Sequence, residues 1–337
     1  MHRRCAWFDA PFEVSVRDEP MPILADDQVL VETIVSAISA GTELLFYRGL
    51  IPPQMQIDAT IQELGNAIRY PLQYGYACVG RVVQSGNQVS DEWRDRIVFA
   101  FHPHASHFAA RVDDLIPVPH DISPESAAFL PNVESAVNFV MDGAPLVGER
   151  VVVLGQGILG LLTTGLLAKM PLAQLFAFDK FSLRRDKARA LGVTDASDPT
   201  GAGAMNDVRA RLSDGADLAF ELTGAPDALN LAIDLTAFSG RIVVGSWYGQ
   251  KRAPIDFGGK FHRSRIRIIS SQVSTIAPEL QGRWTKSRRL QVAWDMLARL
   301  PLNDFITHRF SIAHAARAYE LLDKQPEQAI QVLFRYD

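Results

Sequence analysis

The sequence predicts an α/β protein of two domains, with β-rich outer segments flanking a doubly wound parallel sheet. Three observations carry that expectation. Short β-branched runs crowd residues 1 to about 120. Apolar runs alternate with helical stretches from about 122 to 296. A glycine-rich turn, Gly155-Gln156-Gly157-Ile158-Leu159-Gly160, follows the first of those apolar runs. At 337 residues the chain exceeds the size at which one core usually suffices. The expected division is 1–121 with 297–337 as one domain and 122–296 as the other.

Taken in order, Val29–Val35, Cys78–Val83 and Arg96–Ala100 read as strands bounded by Gly, Pro, Asp and Asn. Between the first two, Ile57, Ile61, Leu64 and Ile68 recur at helical spacing, with Asp58 placed to cap. A helix over 58–69 is expected, either packed on the core or acting as a lid. In the middle, Val151–Leu154, Leu175–Phe178, Leu218–Leu222, Ile242–Val244 and Ile266–Ile269 read as buried parallel strands. Leu161–Met170 and Leu183–Leu191 are among the helical stretches between them. The tail predicts a helix around Ala313–Leu322 and a strand at Ile330–Phe334.

Composition narrows the function classes. A net charge of −4 argues against a nucleic-acid protein, and 47% hydrophobic with 21% charged residues argues against long disorder. Two cysteines, Cys5 and Cys78, exclude a disulfide scaffold and a four-cysteine zinc lobe. No apolar run reaches the roughly 18 residues that span a bilayer. Arg3 and Arg4 lead into acidic residues rather than an apolar signal core, so a cytoplasmic protein without membrane insertion is expected.

The glycine turn has a strand before it, a helix after it and an acidic residue downstream. In that context Gly155 permits the tight turn, Gly157 admits a pyrophosphate near the helix start at Ile158 and Leu159, and Gly160 permits close helix–strand packing. Asp179 ends the next apolar run, where a carboxylate accepts hydrogen bonds from the ribose of NAD and repels the 2′-phosphate of NADP. Lys180, Arg184 and Arg185 beside it are cations that tolerate that phosphate, so NADP stays open. Thr223, Gly224, Gly245, Ser246, Ser271 and Gln272 follow strand ends, where ligands bind in such sheets.

These features resemble the medium-chain dehydrogenase/reductase family over nearly the whole chain. Ala40-Gly41-Thr42-Glu43 is similar to its Cys-Gly-Thr-Asp, Tyr74-Gly75-Tyr76-Ala77-Cys78-Val79-Gly80 to its Gly-His-Glu-x-x-Gly, and Asp95-Arg96-Ile97-Val98 to its Asp-Arg-Val. Asp179, Arg184, Ala188 and Gly192 match a further family segment. The resemblance implies a GroES-like partial β-barrel catalytic domain, a Rossmann cofactor domain, an active cleft between them and a homodimer formed through the sheet edge near Ile266–Ser270. It places Ser135 near the nicotinamide.

Zinc-dependent members carry their ligands where this chain has Ala40, Tyr76 and Pro131 or Asn132, so neither catalytic nor structural zinc is expected. Proton handling then falls to Thr42, at the family's hydroxyl relay, and to Tyr76, which either acts as proton donor or fills the vacated volume. Leu45 stands where some members carry a relay histidine. Glu43 either orients Tyr76 or is a buried acceptor, and Glu134 is either a base or a surface acid. Among His102, His104 and His107, His104 is the preferred catalytic candidate, with ordinary loop histidines as the alternative. Ser39–Glu43, Gly75-Tyr76, His102-Pro103-His104, Phe261-His262-Arg263 and Ser270–Ser274 also resemble a zinc-ligand-less subgroup, the bacteriochlorophyllide a dehydrogenases. That implies NAD-dependent interconversion of a secondary alcohol and a ketone on a cyclic, anionic small molecule. An NADPH-dependent quinone or enoyl reductase, or a silent nucleotide-binding protein, remains open. From Lys251 to Arg289 ten cations face two acids, a block that steers anions or forms a solvated face.

Overall fold

A computed structural model describes residues 2–52 and 69–336. The expected helix over 58–69 lies, apart from Arg69, outside the described residues.

The chain opens with an antiparallel pair, β1 (His2–Ala10) and β2 (Glu13–Pro20). Next come β3 (Gln28–Ala37), α1 (Ala40–Tyr47), β4 (Cys78–Ser85), β5 (Ile97–Ala100), β6 (His107–Arg111), β7 (Leu115–Pro117) and the short α2 (Pro124–Ala127). α3 (Leu130–Gly143) leads to β8 (Arg150–Leu154), α4 (Ile158–Leu167), β9 (Gln174–Phe178), α5 (Ser182–Ala190), β10 (Asp195–Ser197) and α6 (Ala202–Leu212). β11 (Ala216–Glu221), α7 (Ala228–Leu235), β12 (Thr236–Val244), β13 (Arg267–Ser270) and α8 (Lys286–Leu297) follow. β14 (Ile306–Ser311), α9 (Ala315–Lys324) and β15 (Gln331–Arg335) close the chain.

Two compact units result: Met1–Pro131 with Pro301–Asp337, and Asn132–Leu300. The first division falls at 131/132 rather than 121/122, and the second at 300/301 rather than 296/297. Residues 122–131 stay with the first unit because Glu125 of α2 is held there by Arg309 of β14 at 2.7 and 2.8 Å and by Arg335 of β15 at 2.9 Å. Hydrogen bonding from Arg309 brings the Glu125 carboxyl down to about 2.

In the first unit a seven-stranded sheet runs β14-β15-β3-β4-β5-β7, with β6 also on β3. Val29, Val31, Cys78, Val82, Val98, Phe108 and Leu115 form one of its buried clusters. The tail returns to pair here: β15 lies antiparallel on β3.

In the second unit six parallel strands run β10-β9-β8-β11-β12-β13. Alternate residues serve opposite faces, as the strand period requires. Val152, Leu154, Phe176, Phe178 and Ile242 enter one apolar cluster, while Val151, Val153, Leu175, Leu218 and Val243 enter another. Two buried faces explain why these strands read as continuous apolar runs. Strand order reverses between β8 and β11, which creates a crevice at their carboxyl ends.

Candidate functional site

The glycine turn sits at the carboxyl end of β8. Gly155 has φ +87°, and a Cβ there would lie 2.7 Å from Leu222 O and 2.8 Å from Thr223 Cα. A Cβ on Gly160 would stand 1.9 Å from Gly155 O. These two contacts fix glycine by steric necessity. Gly157 differs: among the described residues, chain neighbours aside, a built Cβ would find within 4 Å only Arg184 Nη1, at 3.9 Å. It is also the N-cap of α4 and supplies no capping side chain, so no cap oxygen covers the first amides of that helix. Ile158 is buried at the helix start, with Leu159 next to it. Such a cradle, open at Gly157 and lined by backbone donors, fits a pyrophosphate.

Asp179 is buried beside this turn. It accepts Gln156 N–H at 2.8 Å and Phe181 N–H at 2.9 Å, and Arg184 Nη1 lies 3.7 Å from its Oδ2. The Arg184 guanidinium stacks over Phe181, 4.9 Å from the ring centre. Lys180 is exposed, and its carbonyl accepts from Arg185 at 2.7 Å. The structure therefore brings the glycine turn, Asp179 and Arg184 together.

Next to them the expected Thr223, Gly224 and Ser246 join a cluster whose centre, Glu221 with Tyr248, sequence reasoning missed. Glu221, the last residue of β11, is fully buried. One of its oxygens accepts Thr223 N–H at 2.8 Å and the Thr223 hydroxyl, while the other accepts the Tyr248 hydroxyl. Burial and the Glu221 charge drive the Tyr248 phenol far above its usual range, so it stays a donor. Gly224 N–H donates to Ser246 Oγ at 2.9 Å, and Lys251 Nζ donates to Gly224 O at 2.7 Å. A Cβ on Gly245 would meet Leu222 Cδ2 and Phe139 Cζ, each at 2.6 Å. Glu221 stands two residues before Thr223-Gly224 at the end of β11, and that placement is the signal that could have found it.

Glu134 and Ser135 lie on α3. Glu134 Oε1 receives Arg289 Nε at 3.1 Å and Nη2 at 3.0 Å. The remaining guanidinium protons reach Asn138 Oδ1 at 2.5 Å, Thr275 O at 3.0 Å and Val273 O. All five donors of this buried arginine are used. Glu134 is thus its counterion, not a surface acid. Arg289, one of the ten cations of the basic block, is fully buried rather than part of a charged face. Ser271 donates to Asp142 at 2.5 Å and accepts from Asn138 at 2.9 Å, whereas Gln272 bonds Ser274 at 2.8 Å.

In the first unit the expected catalytic residues gather around a buried chain. Glu43 and His104 are both fully buried. Glu43 Oε1 accepts Ser39 N–H at 2.6 Å, and Oε2 accepts the Tyr319 hydroxyl at 2.5 Å and faces His104 Nε2 at 3.1 Å. His104 Nδ1 lies 2.6 Å from Ser36 Oγ, which lies 2.6 Å from Tyr336 Oη. A ring nitrogen that faces a carboxylate carries the proton, so Nδ1 accepts from Ser36 and Ser36 accepts from Tyr336. Burial holds both phenols well above their usual range, and the Glu43 charge adds to this at Tyr319. Gly75 has φ +125°, and a Cβ there would lie 2.7 Å from the His104 ring.

Tyr76 is half-buried and donates its hydroxyl to Ser39 Oγ. Glu43 therefore reaches Tyr76 through the Ser39 backbone. Thr42 is half-buried on α1, its N–H bonded to Ser39 O at 3.0 Å. His102 and His104 do not lie on a strand; β6 starts only at His107. His102 bonds Pro103 O at 2.8 Å and stacks on Phe108, and burial lowers its pKa to about 4. His107 lies 3.9 Å from Glu32.

The ligand positions of a catalytic zinc do not fit that ion. Ala40 has no donor, Tyr76 is committed to Ser39, and both nitrogens of the nearby His104 are taken. Among the described residues no group of three or more His, Cys, Asp or Glu is placed to hold a metal.

Residues 159–291 match the family model described as "Zinc-binding dehydrogenase". That stretch contains none of the three ligand positions. The chain is 25% identical over 267 residues to D-guloside 3-dehydrogenase of Escherichia coli K12, covering 77% of this chain and 76% of that protein. It is 23% identical over 332 residues to L-threonine 3-dehydrogenase of Xanthomonas campestris pv. campestris, covering 90% and 92%. The crystal structure of 2R,3R-butanediol dehydrogenase from Bacillus subtilis superposes with a TM-score of 0.80 at 18% identity, over 99% of this chain and all of that one. The two-unit architecture, with its glycine-turn sheet, is that of a nicotinamide-dependent dehydrogenase/reductase. These likenesses support a medium-chain dehydrogenase/reductase. No helix among the described residues is long and apolar enough to cross a membrane.

Proposed function

We propose that this protein interconverts a polar secondary alcohol and its ketone with NAD, and that it does so without zinc. The observation that carries the reading is the Tyr76 hydroxyl bonded to Ser39 Oγ, with Tyr76 standing where the family resemblance places a zinc ligand. Gly155, Gly157 and Gly160 with the start of α4 would hold the pyrophosphate, and Asp179 the adenosine ribose. Thr223, Gly224, Gly245 and Ser246 border the same crevice at strand ends. NADP is tolerated to the extent that Arg184 offsets the Asp179 charge.

A bound nicotinamide would supply the two-electron acceptor, which leaves the proton to the chain. Tyr76 Oη takes or gives that proton, and Ser39 Oγ is the atom to which it is already hydrogen-bonded. Thr42 is placed beside Ser39 on the first turn of α1. Glu43 and His104 touch neither proton carrier's hydroxyl; they are positioning groups. Glu134 anchors α3 through Arg289 rather than serving as a base. The β13 edge remains our proposed homodimer contact.

The relatives' names supply the substrate panel: a guloside, L-threonine and 2,3-butanediol, with a hydroxyethyl chlorin as the arm drawn from the motif resemblance. Turnover is followed as NADH absorbance, with and without a chelator. The expected result is oxidation of at least one member, unchanged by chelation and slowed about a hundredfold by Tyr76→Phe. Activity lost to the chelator and restored by zinc would overturn it, as would Tyr76→Phe within twofold of the parent.

A further inference from the structure

The buried carboxylate of Glu221 is used by none of the roles assigned above, yet it ties together two loops at the crevice. One oxygen curls the chain after β11 back on itself by taking both the amide and the hydroxyl of Thr223. The other takes the Tyr248 hydroxyl from the loop after β12. Two backbone-level bonds complete the fastening: Gly224 N–H to Ser246 Oγ at 2.9 Å, and Lys251 Nζ to Gly224 O at 2.7 Å. An ionised carboxylate with three donors is a strong acceptor, whereas the same group stripped of a donor in a site with no solvent exposure is costly.

Position gives this clasp its meaning. Leu222 O and Thr223 Cα form the wall against which the Gly155 turn closes. Asp179 immediately follows β9, on the far side of β8 from β11 and β12. A dinucleotide with its adenosine ribose at Asp179 and its pyrophosphate at Gly157 therefore runs outward over the ends of β11 and β12. Its nicotinamide half falls on the loops that Glu221 fastens.

We infer that Glu221 and Tyr248 are positioning residues for the nicotinamide half of the cofactor: together they latch the 222–225 and 245–251 loops into one rigid edge. The inference rests on the dinucleotide-binding reading above. It separates the cofactor into two halves with different dependences. The adenosine and pyrophosphate half is held by the glycine turn and Asp179, to which neither Glu221 nor Tyr248 sends one of the clasp's hydrogen bonds. The nicotinamide half needs the clasp closed.

The test uses direct binding to the purified full chain, by calorimetry and by NADH fluorescence, with no substrate present. ADP-ribose reports the adenosine half alone; NADH reports both halves. Where NADPH is the tighter ligand, NADPH and 2′-phospho-ADP-ribose replace them. Tyr248→Phe keeps the ring and removes one hydrogen bond to a charged group. It is expected to weaken NADH about tenfold and leave ADP-ribose within twofold, with a change in the emission of bound NADH. Ser246→Ala, which opens the Gly224 fastening without touching the buried charge, is expected to act in the same direction to a smaller extent. Equal weakening of both ligands would mean a merely structural role and would overturn the inference, as would NADH binding unchanged in Tyr248→Phe. If the parent protein binds neither ligand, the dinucleotide reading itself falls and takes this inference with it. If the parent binds both and the variants do not discriminate, only the clasp is refuted.

Discussion

The two units spend their polar groups in opposite ways. At the glycine turn of the second unit the side chains withdraw: Gly157 caps α4 without a side-chain acceptor, and a Cβ built on it would meet only the tip of Arg184 among the described residues. Around α1 of the first unit the side chains advance and consume one another, Tyr336 to Ser36 to His104 to Glu43, with Tyr319 and Ser39 closing on the same carboxylate. The first arrangement leaves room beside a helix start that no cap side chain fills, which is what a ligand site needs. The second has its capacity met internally, which is what a buried scaffold needs. Proximity of reactive residue types therefore says little by itself; what matters is whether their partners are already chosen.

Substitutions can break this contrast. The largest effect is expected from Gly160→Ala, since the new methyl would stand 1.9 Å from a carbonyl oxygen. NADH binding should fall by at least about a hundredfold, and titration by fluorescence measures it; retention within threefold would show that the turn relaxes freely. His104→Leu should destabilise the first unit by about 2–3 kcal/mol, because it strips Glu43 of a donor in a buried site. Urea unfolding reads this, and NADH affinity should stay unchanged. Loss of NADH binding without loss of stability would reverse the roles assigned to the two regions.

Smaller effects sharpen the picture. Asp179→Ala should weaken NADH about tenfold while changing NADPH much less, since only the former needs the ribose carboxylate. Equal losses would remove Asp179 from cofactor choice. Glu125→Gln addresses the outer surface of the first unit. The folded pKa of Glu125 is about 2, below the ordinary 4.5, so its stabilising contribution is present above about 4.5 and fades as pH falls toward 2. The parent should therefore lose more stability than Glu125→Gln across that window, by thermal unfolding. Parallel losses would mean that the Arg309 and Arg335 contacts count for little in solution.

What the sequence revealed follows the same division. The strands of the second unit were legible because both faces are apolar, and the turn was legible because glycine spacing is dictated by contacts with backbone, as at Gly155 and Gly160. Partners chosen across long separations were not. Glu134 and Arg289 lie 155 residues apart, Glu43 and Tyr319 276 apart, and Glu221 and Tyr248 27 apart. No local pattern announces such pairs, so Glu134 read equally as base or surface acid, and Tyr248 did not register. α1 escaped notice because Gly41 weakens its first turn. Glu43 folding back onto the Ser39 amide supplied the missing start signal.

Gly75 carries a consequence of its own. The imidazole of His104 occupies the volume that any side chain at 75 would claim. Bulk at 75 is therefore to be had, on this backbone, only by surrendering the ring at 104, and with it the nitrogen that faces the Glu43 carboxylate. A survey of related chains that found both a substituted 75 and an intact 104 would show that the backbone here has a second way to bend.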